Sequence, residues 1–130
     1  MNRRKLALRF AIAWTILIVA LLTVPGKSIP SSSVLEFDKL AHAGLFLILT
    51  LLWLFALSED RISRALTIVG AIVLFSFASE WYQELLPFER TGELLDAVAD
   101  TAGALLGFAI WAFRVAFAPK SATSTNSGTS

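Results

Sequence analysis

Ionisable and amide side chains stand at the edges of two long apolar runs in this chain of 130 residues. Glu80 and Gln83 close one run, and Asp96 and Asp100 open the next. At about 100° per residue, Asp96 and Asp100 fall on one face of a helix. Carboxylates placed in this way can act as general acids or bases, bind a metal ion, or pair with a buried cation. The spacing therefore predicts a polar site where the two runs meet.

An earlier apolar run opens with Asp38, Lys39 and His42. Asp38 and His42 are four residues apart, so they share a helix face. His42 is the only histidine, and it lies about one turn inside the predicted membrane boundary, where ionisable groups are costly and usually functional. Two structural interpretations remain beside the functional one: an interfacial ion pair of Asp38 with Lys39, and a hydrogen-bonded structural His42.

The composition predicts an integral membrane protein. Hydrophobic residues make up 56% of the chain and the mean hydropathy is +0.71, whereas a soluble domain is usually about 45–50% apolar. We therefore expect an all-α bundle of four transmembrane helices in contact with bilayer lipid. The net charge of +1 gives no indication of nucleic acid as a partner. Because the chain has no cysteine, a thiolate metal site and a thiol nucleophile are excluded.

Four uncharged runs set the expected domain organisation. The predicted helices cover residues 6–24, 34–57, 63–86 and 92–117, within one transmembrane domain at 1–118. The first run is long for a signal peptide and is followed by no clear cleavage site, which favours a retained helix. Ser33 and Glu36 form a capping-box pattern that predicts a helix start near Val34. The small polar residues 119–130 predict a disordered tail.

Lysine and arginine are distributed unevenly over the predicted loops. If the N-terminus is cytoplasmic, only Lys27, Lys39 and Arg90 of the 11 basic residues lie outside. The positive-inside rule then predicts two cytoplasmic termini in a multi-pass protein of the inner, or cytoplasmic, membrane. In this orientation the candidate site residues converge at the outer ends of the last three helices: Asp38, Lys39, His42, Glu80, Gln83, Arg90, Asp96 and Asp100.

Gly103 and Gly107 form a GxxxG pair on the same helix face as Asp96 and Asp100. Small residues at this spacing allow two membrane helices to approach closely. We expect both glycines to line a tight helix contact, which explains the pair without any ligand.

The order of these motifs resembles the VanZ-like family of small bacterial membrane proteins. The resemblance covers about residues 27–108, and its motifs are Asp38-Lys39-x-x-His42, Glu80-x-x-Gln83, Pro87-x-x-Arg90 and Asp96-x-x-x-Asp100-x-x-Gly103-x-x-x-Gly107. The family pattern has Asn where this chain has Asp100, which favours a hydrogen-bonding or ion-pairing role there. Since the family is named for a protein linked to teicoplanin resistance, the resemblance implies a cell-envelope role and an effect on glycopeptide susceptibility, a form of antibiotic resistance.

Three functions compete for the predicted outward-facing pocket. In the preferred one, Lys39 and Arg90 bind an anionic lipid-linked or cell-surface component, such as an envelope precursor. Asp38, Glu80 and Asp96 then hold these cations and His42 in place, and the binding set also includes Gln83 and Asp100.

The second function is catalysis on a lipid-linked substrate. His42, Glu80 and Asp96 would supply the acid–base groups, or His42 and carboxylates would bind a divalent metal ion whose identity is open. The third is structural, with the same groups locking three helix ends together. Ion or proton movement is a smaller alternative. The binding interpretation requires no cofactor, whereas a divalent cation fits the catalytic one.

Overall fold

Four helices make up the fold of this protein. The computed structural model describes residues 2–23, 32–87 and 94–119, with side chains described from Phe37 onward in the second range. The helices are α1 Arg3–Thr23, α2 Ser32–Leu57, α3 Ile62–Leu85 and α4 Leu94–Phe117. No strand occurs within the three described ranges, so the all-α prediction is confirmed. The predicted tail lies outside the described residues apart from Pro119.

All four helices are long and apolar enough to cross a membrane. At 1.5 Å per residue, 21 to 24 residues span about 32–36 Å, and the hydrocarbon core of a bilayer is about 30 Å thick. Large apolar side chains such as Ile16, Leu74 and Leu105 point outward from the bundle. Such a surface suits lipid as the surrounding solvent, so the chain is a multi-pass membrane protein.

The helix ends follow local sequence. α3 ends at Leu85, and the next residue, Leu86, is extended with φ −73° and ψ 139°. Leu86 precedes Pro87, whose ring disfavours the helical conformation in the residue before it. α2 begins at Ser32, about two residues before the start predicted near Val34; helix boundaries shift by this much without any change in packing.

α2 is the central helix of the bundle. It packs most extensively against α4 and also against α1, while α3 packs against α4 and less closely against α2. The core cluster at mid-height takes Phe46 and Leu49 from α2, Ile72 from α3 and Ala104 from α4. α1 is tied to α2 by the Trp14 indole N–H, which donates to the Leu45 carbonyl at 3.0 Å.

Two glycines of α4 allow its backbone to touch the backbone of α2. A Cβ built on Gly103 would overlap the Ala43 carbonyl oxygen, and one built on Gly107 would lie 2.9 Å from the Leu47 carbonyl oxygen. Any larger residue at Gly103 would therefore force the helices apart. The close approach brings Asp100, one turn before Gly103, beside His42.

An apolar cleft separates α1 from α3, two helices that touch only slightly. One part, of about 340 Å³, lies between Thr15, Trp53 and Ala71, and a second, of about 300 Å³, lies between Leu22 and Tyr82. Both parts share Phe75. The cleft therefore follows the helices through the mid-height of the bundle to the end where α3 finishes.

Candidate functional site

A hydrogen-bonded group of three side chains joins α2, α3 and α4. His42 Nδ1 lies 3.0 Å from Asp100 Oδ1, and the Ser76 hydroxyl donates to Asp100 Oδ2 at 3.1 Å. Asp100 is fully buried, and His42 and Ser76 are also buried. Both carboxylate oxygens of Asp100 therefore have partners, as a buried charge requires.

The Asp100 contact sets the orientation and tautomer of the imidazole. Because an ionised carboxylate only accepts hydrogen bonds, Nδ1 of His42 is the donor. In the neutral ring this leaves the lone pair on Nε2, which lies 3.9 Å from Asp38 Oδ1. Asp38 is more than half exposed. The free nitrogen is therefore directed toward the open end of the bundle, where it can accept a proton or bind a metal ion.

Two further carboxylates come close to the same ring. His42, Glu80 and Asp100 each offer a ligand atom within 4.8 Å of the others, and Asp38, His42 and Asp96 do the same. Glu80 is buried and Asp96 is half-buried. Four carboxylates thus surround one imidazole, on two sides. A mixture of oxygen ligands and one nitrogen ligand suits a divalent cation such as Mn²⁺ or Zn²⁺, and the oxygens alone suit Mg²⁺ or Ca²⁺.

The remaining predicted site residues are Gln83, Lys39 and Arg90. Gln83 is buried, and its side-chain nitrogen finds no hydrogen-bond partner among the described residues. Lys39 is half-buried. Arg90 lies outside the described residues, as do Glu89 and Glu93, which the sequence suggests are solvated.

Ser76 is the contributor that the sequence interpretation missed. It lies four residues before Glu80 and so on the same face of α3. Together with Ser79, Glu80 and Gln83 it forms a buried polar stripe. The Ser79 hydroxyl donates to the Ser76 carbonyl at 2.7 Å. The i, i+3, i+4, i+7 spacing of these polar residues was the available signal.

The family of the chain follows from its match to a family model. The model for VanZ/LLP1 proteins matches residues 7–116. The chain belongs to the VanZ/LLP1 family. This confirms the resemblance drawn from the motifs, and the match includes every residue of the His42 cluster. Comparison with curated proteins and with solved structures finds no match.

Proposed function

We propose that this VanZ/LLP1 protein binds an anionic, lipid-linked or cell-surface component of the bacterial envelope at the His42 end of its bundle. The observation that supports the proposal is the convergence of His42 with four carboxylates at one end of four lipid-facing helices. Ionisable groups are rare in such helices and usually serve a ligand, an ion or a proton. The orientation with this end outside the inner membrane is part of the proposal.

A bound divalent cation would allow an acidic site to bind an anionic ligand. Asp100 is engaged by His42 and Ser76, so its charge is already satisfied within the bundle. Asp38, Asp96 and the exposed side of His42 are grouped closely enough to hold one cation, which could then also accept a phosphate or carboxylate oxygen of the ligand. Lys39 and Arg90 are the proposed groups on the anion side. Arg90 is included in this set because of its position in the sequence alone.

A lipid-linked ligand is favoured by the cleft between α1 and α3. The Ser79 and Tyr82 end of this cleft lies on the same helix as Ser76 and Glu80. A hydrocarbon chain lying along Phe75 would place its polar head at the level of the His42 cluster. The same cleft gives no advantage to a water-soluble ligand, because its lining is almost wholly apolar.

Binding can be tested with the purified protein in nanodiscs, with a polyprenyl phosphate as probe in the presence and absence of Mg²⁺ or Mn²⁺. We expect Lys39→Ala and Arg90→Ala each to weaken binding by about tenfold or more, since each removes a charge-assisted contact. Chelation of the metal should weaken it similarly. The matched control is Glu84→Gln, an exposed acid at the same end. Binding that is equal in all variants and indifferent to chelation would contradict the proposal.

A second function, catalysis on such a ligand, is favoured by the His42 and Asp100 geometry. A buried carboxylate that fixes Nδ1 and leaves the lone pair on Nε2 is the arrangement of a general base. In that case Asp96→Asn should keep folding and ligand binding but abolish product formation. Loss of binding in Lys39→Ala and Arg90→Ala, with no turnover in the parent protein, would favour the binding function over catalysis.

Glycopeptide susceptibility provides the cellular test. A well-folded triple variant with His42→Ala, Glu80→Gln and Arg90→Ala should lose any effect on teicoplanin tolerance in a suitable host. If the triple variant keeps the parent phenotype, both the binding and the catalytic proposals fail. The cluster would then be a device that locks the helix ends together.

The outward orientation can be tested separately, because the chain has no cysteine of its own. Single variants Glu84→Cys and Arg61→Cys place thiols at exposed positions on opposite ends of α3. An impermeant thiol reagent added to intact cells should label the cysteine at position 84 and not that at position 61. The reverse pattern would put the His42 cluster on the cytoplasmic side.

A further inference from the structure

The end of the bundle opposite His42 contains a polar cavity of about 340 Å³. It lies between the first turn of α1, the end of α2, the α2–α3 turn and the last turn of α4. Its charged lining consists of Arg3, Arg4, Arg114, Glu59 and Asp60, and Phe55 forms part of the apolar wall.

The cavity has an excess of positive charge. Glu59 is already shared between two guanidinium groups, those of Arg4 at 3.5 Å and of Arg64. Arg3 and Arg114 form no ion pair with any described residue. The cavity lining has three arginines and two acids, a net charge of +1. Arg64 pairs with Glu59 from outside the lining and adds one more positive charge beside the cavity.

Arg114 is held in a position that suits anion binding. Its guanidinium carbon lies 4.9 Å from the centre of the Phe55 ring. Stacking of this kind fixes the plane of the group and leaves its N–H donors, which lie at the edge of that plane, available. A planar fork of donors matches two oxygens of a phosphate.

We propose that this cavity binds a phosphate group, with the headgroup of an anionic phospholipid as its favoured source. The cavity opens at the ends of membrane-spanning helices, where phospholipid headgroups lie, and basic pockets between such helices recognise them. Phe113 and Phe117, on either side of Arg114 along α4, are exposed and contact each other, so they offer an apolar surface for the acyl chains. Asp60, also without an ion pair among the described residues, can accept a hydrogen bond from a headgroup hydroxyl.

The proposal is tested with the full chain in detergent, by titrating dihexanoyl phosphatidylglycerol, dihexanoyl phosphatidylcholine or inorganic phosphate and following binding by native mass spectrometry and thermal unfolding. Arg3→Gln and Arg114→Gln should each weaken phosphatidylglycerol binding by about tenfold, and the double variant should weaken it further. Arg61→Gln removes an exposed arginine of the same α2–α3 turn that does not line the cavity. It is the matched control and should bind like the parent.

The probes distinguish the two sources of phosphate. Binding of phosphatidylglycerol that depends on Arg3 and Arg114, with little binding of inorganic phosphate, identifies a lipid headgroup site. Inorganic phosphate that binds as tightly, with the same dependence, identifies a site for soluble phosphate. The proposal is overturned if Arg3→Gln and Arg114→Gln bind like the control, or if phosphatidylcholine binds as tightly as phosphatidylglycerol. Should the double variant fail to fold, the two single variants decide by the same criterion.

Discussion

The contact between α2 and α4 and the cleft between α1 and α3 are both built from apolar helices long enough to cross a membrane, yet one is closed and the other open. In the first, Gly103 and Gly107 bring two backbones together. In the second, bulky groups such as Phe75 and Leu22 line an open space. The lipid solvent provides no hydrophobic force that would close such a space, so side-chain size decides the distance between helices.

The difference matters for function because the His42 and Asp100 hydrogen bond crosses the closed contact. A hydrogen bond at 3.0 Å tolerates little relative movement of its two helices. A backbone contact one turn away supplies that rigidity. The open cleft needs no such precision, since an acyl or prenyl chain adapts to the space that it is given.

The sharpest test of the closed contact is Gly103→Leu. Because even a Cβ would overlap the Ala43 carbonyl oxygen, we expect a loss of more than about 3 kcal/mol in the free energy of unfolding, at the upper end of overpacking costs. Thermal unfolding in detergent and the yield of folded protein measure it. The control is Gly70→Leu, because a Cβ at Gly70 meets nothing within 4 Å. Equal melting temperatures for the two variants would mean that the helices are not in contact at Gly103.

Removal of the buried carboxylate should have the next largest effect. Asp100→Ala removes the acceptor of His42 Nδ1 and leaves the Ser76 hydroxyl only the Ala97 carbonyl, at 3.5 Å. We therefore expect a cost of about 3–5 kcal/mol, the range found when one partner of a buried pair is removed. Asp100→Asn keeps an oxygen acceptor for His42 and an amide donor for Ser76, so its cost should be below about 1.5 kcal/mol.

The tautomer of the His42 imidazole provides a second measurement on Asp100→Asn and Asp100→Ala. Nitrogen NMR of labelled His42 should show the proton on Nδ1 in the parent and in Asp100→Asn, and a mixture of tautomers in Asp100→Ala. If Asn is as damaging as Ala, a charge rather than a hydrogen bond holds the imidazole.

A smaller effect is expected for Ser76→Ala, which removes one donor to Asp100 Oδ2 while the His42 contact stays. The cost should be about 1 kcal/mol, the usual net value of one hydrogen bond. Ser63→Ala, at an exposed position near the other end of α3, should leave the unfolding temperature unchanged. A Ser76 variant as stable as the Ser63 variant would show that α3 is not held to α4 through Asp100.

A substitution in the open cleft should have the smallest effect on stability. Ala71→Leu adds a side chain at an exposed position that lines the cleft, so stability should change by less than about 0.5 kcal/mol. The same substitution at Ala104, which is fully buried in the mid-height core, should cost about 1–3 kcal/mol. Similar costs at both positions would indicate that the cleft closes in a bilayer.

The number and type of helices could be predicted because four long apolar runs leave a chain in lipid no alternative that satisfies its backbone. The shared faces of Asp96 with Asp100 and of Asp38 with His42 follow from helix periodicity alone. So does the GxxxG face of α4. These are local properties, and they brought the right residues to the same end of the bundle.

Pairing between helices is not a local property. Helix periodicity placed Asp38 beside His42, but the acceptor for the Nδ1–H group is Asp100, 58 residues away in sequence. The polar stripe of α3 places Ser76 on the same face as Glu80, but it does not show that Ser76 donates to Asp100 on another helix. The same holds for Arg3 and Arg114, which lie at opposite ends of the described chain and line one cavity.

The sequence by itself determined that this protein lies in lipid, that it has four transmembrane helices, and to which family it belongs. It also determined at which end of the bundle the acids and the histidine gather. Tertiary structure alone decided which carboxylate fixes the imidazole, which ring nitrogen stays free, and which helices stay apart. The physical reason is that hydropathy and periodicity act within one helix, whereas a hydrogen bond between helices depends on how closely two backbones approach. Here that distance is set at Gly103 and Gly107, where no side chain stands between them.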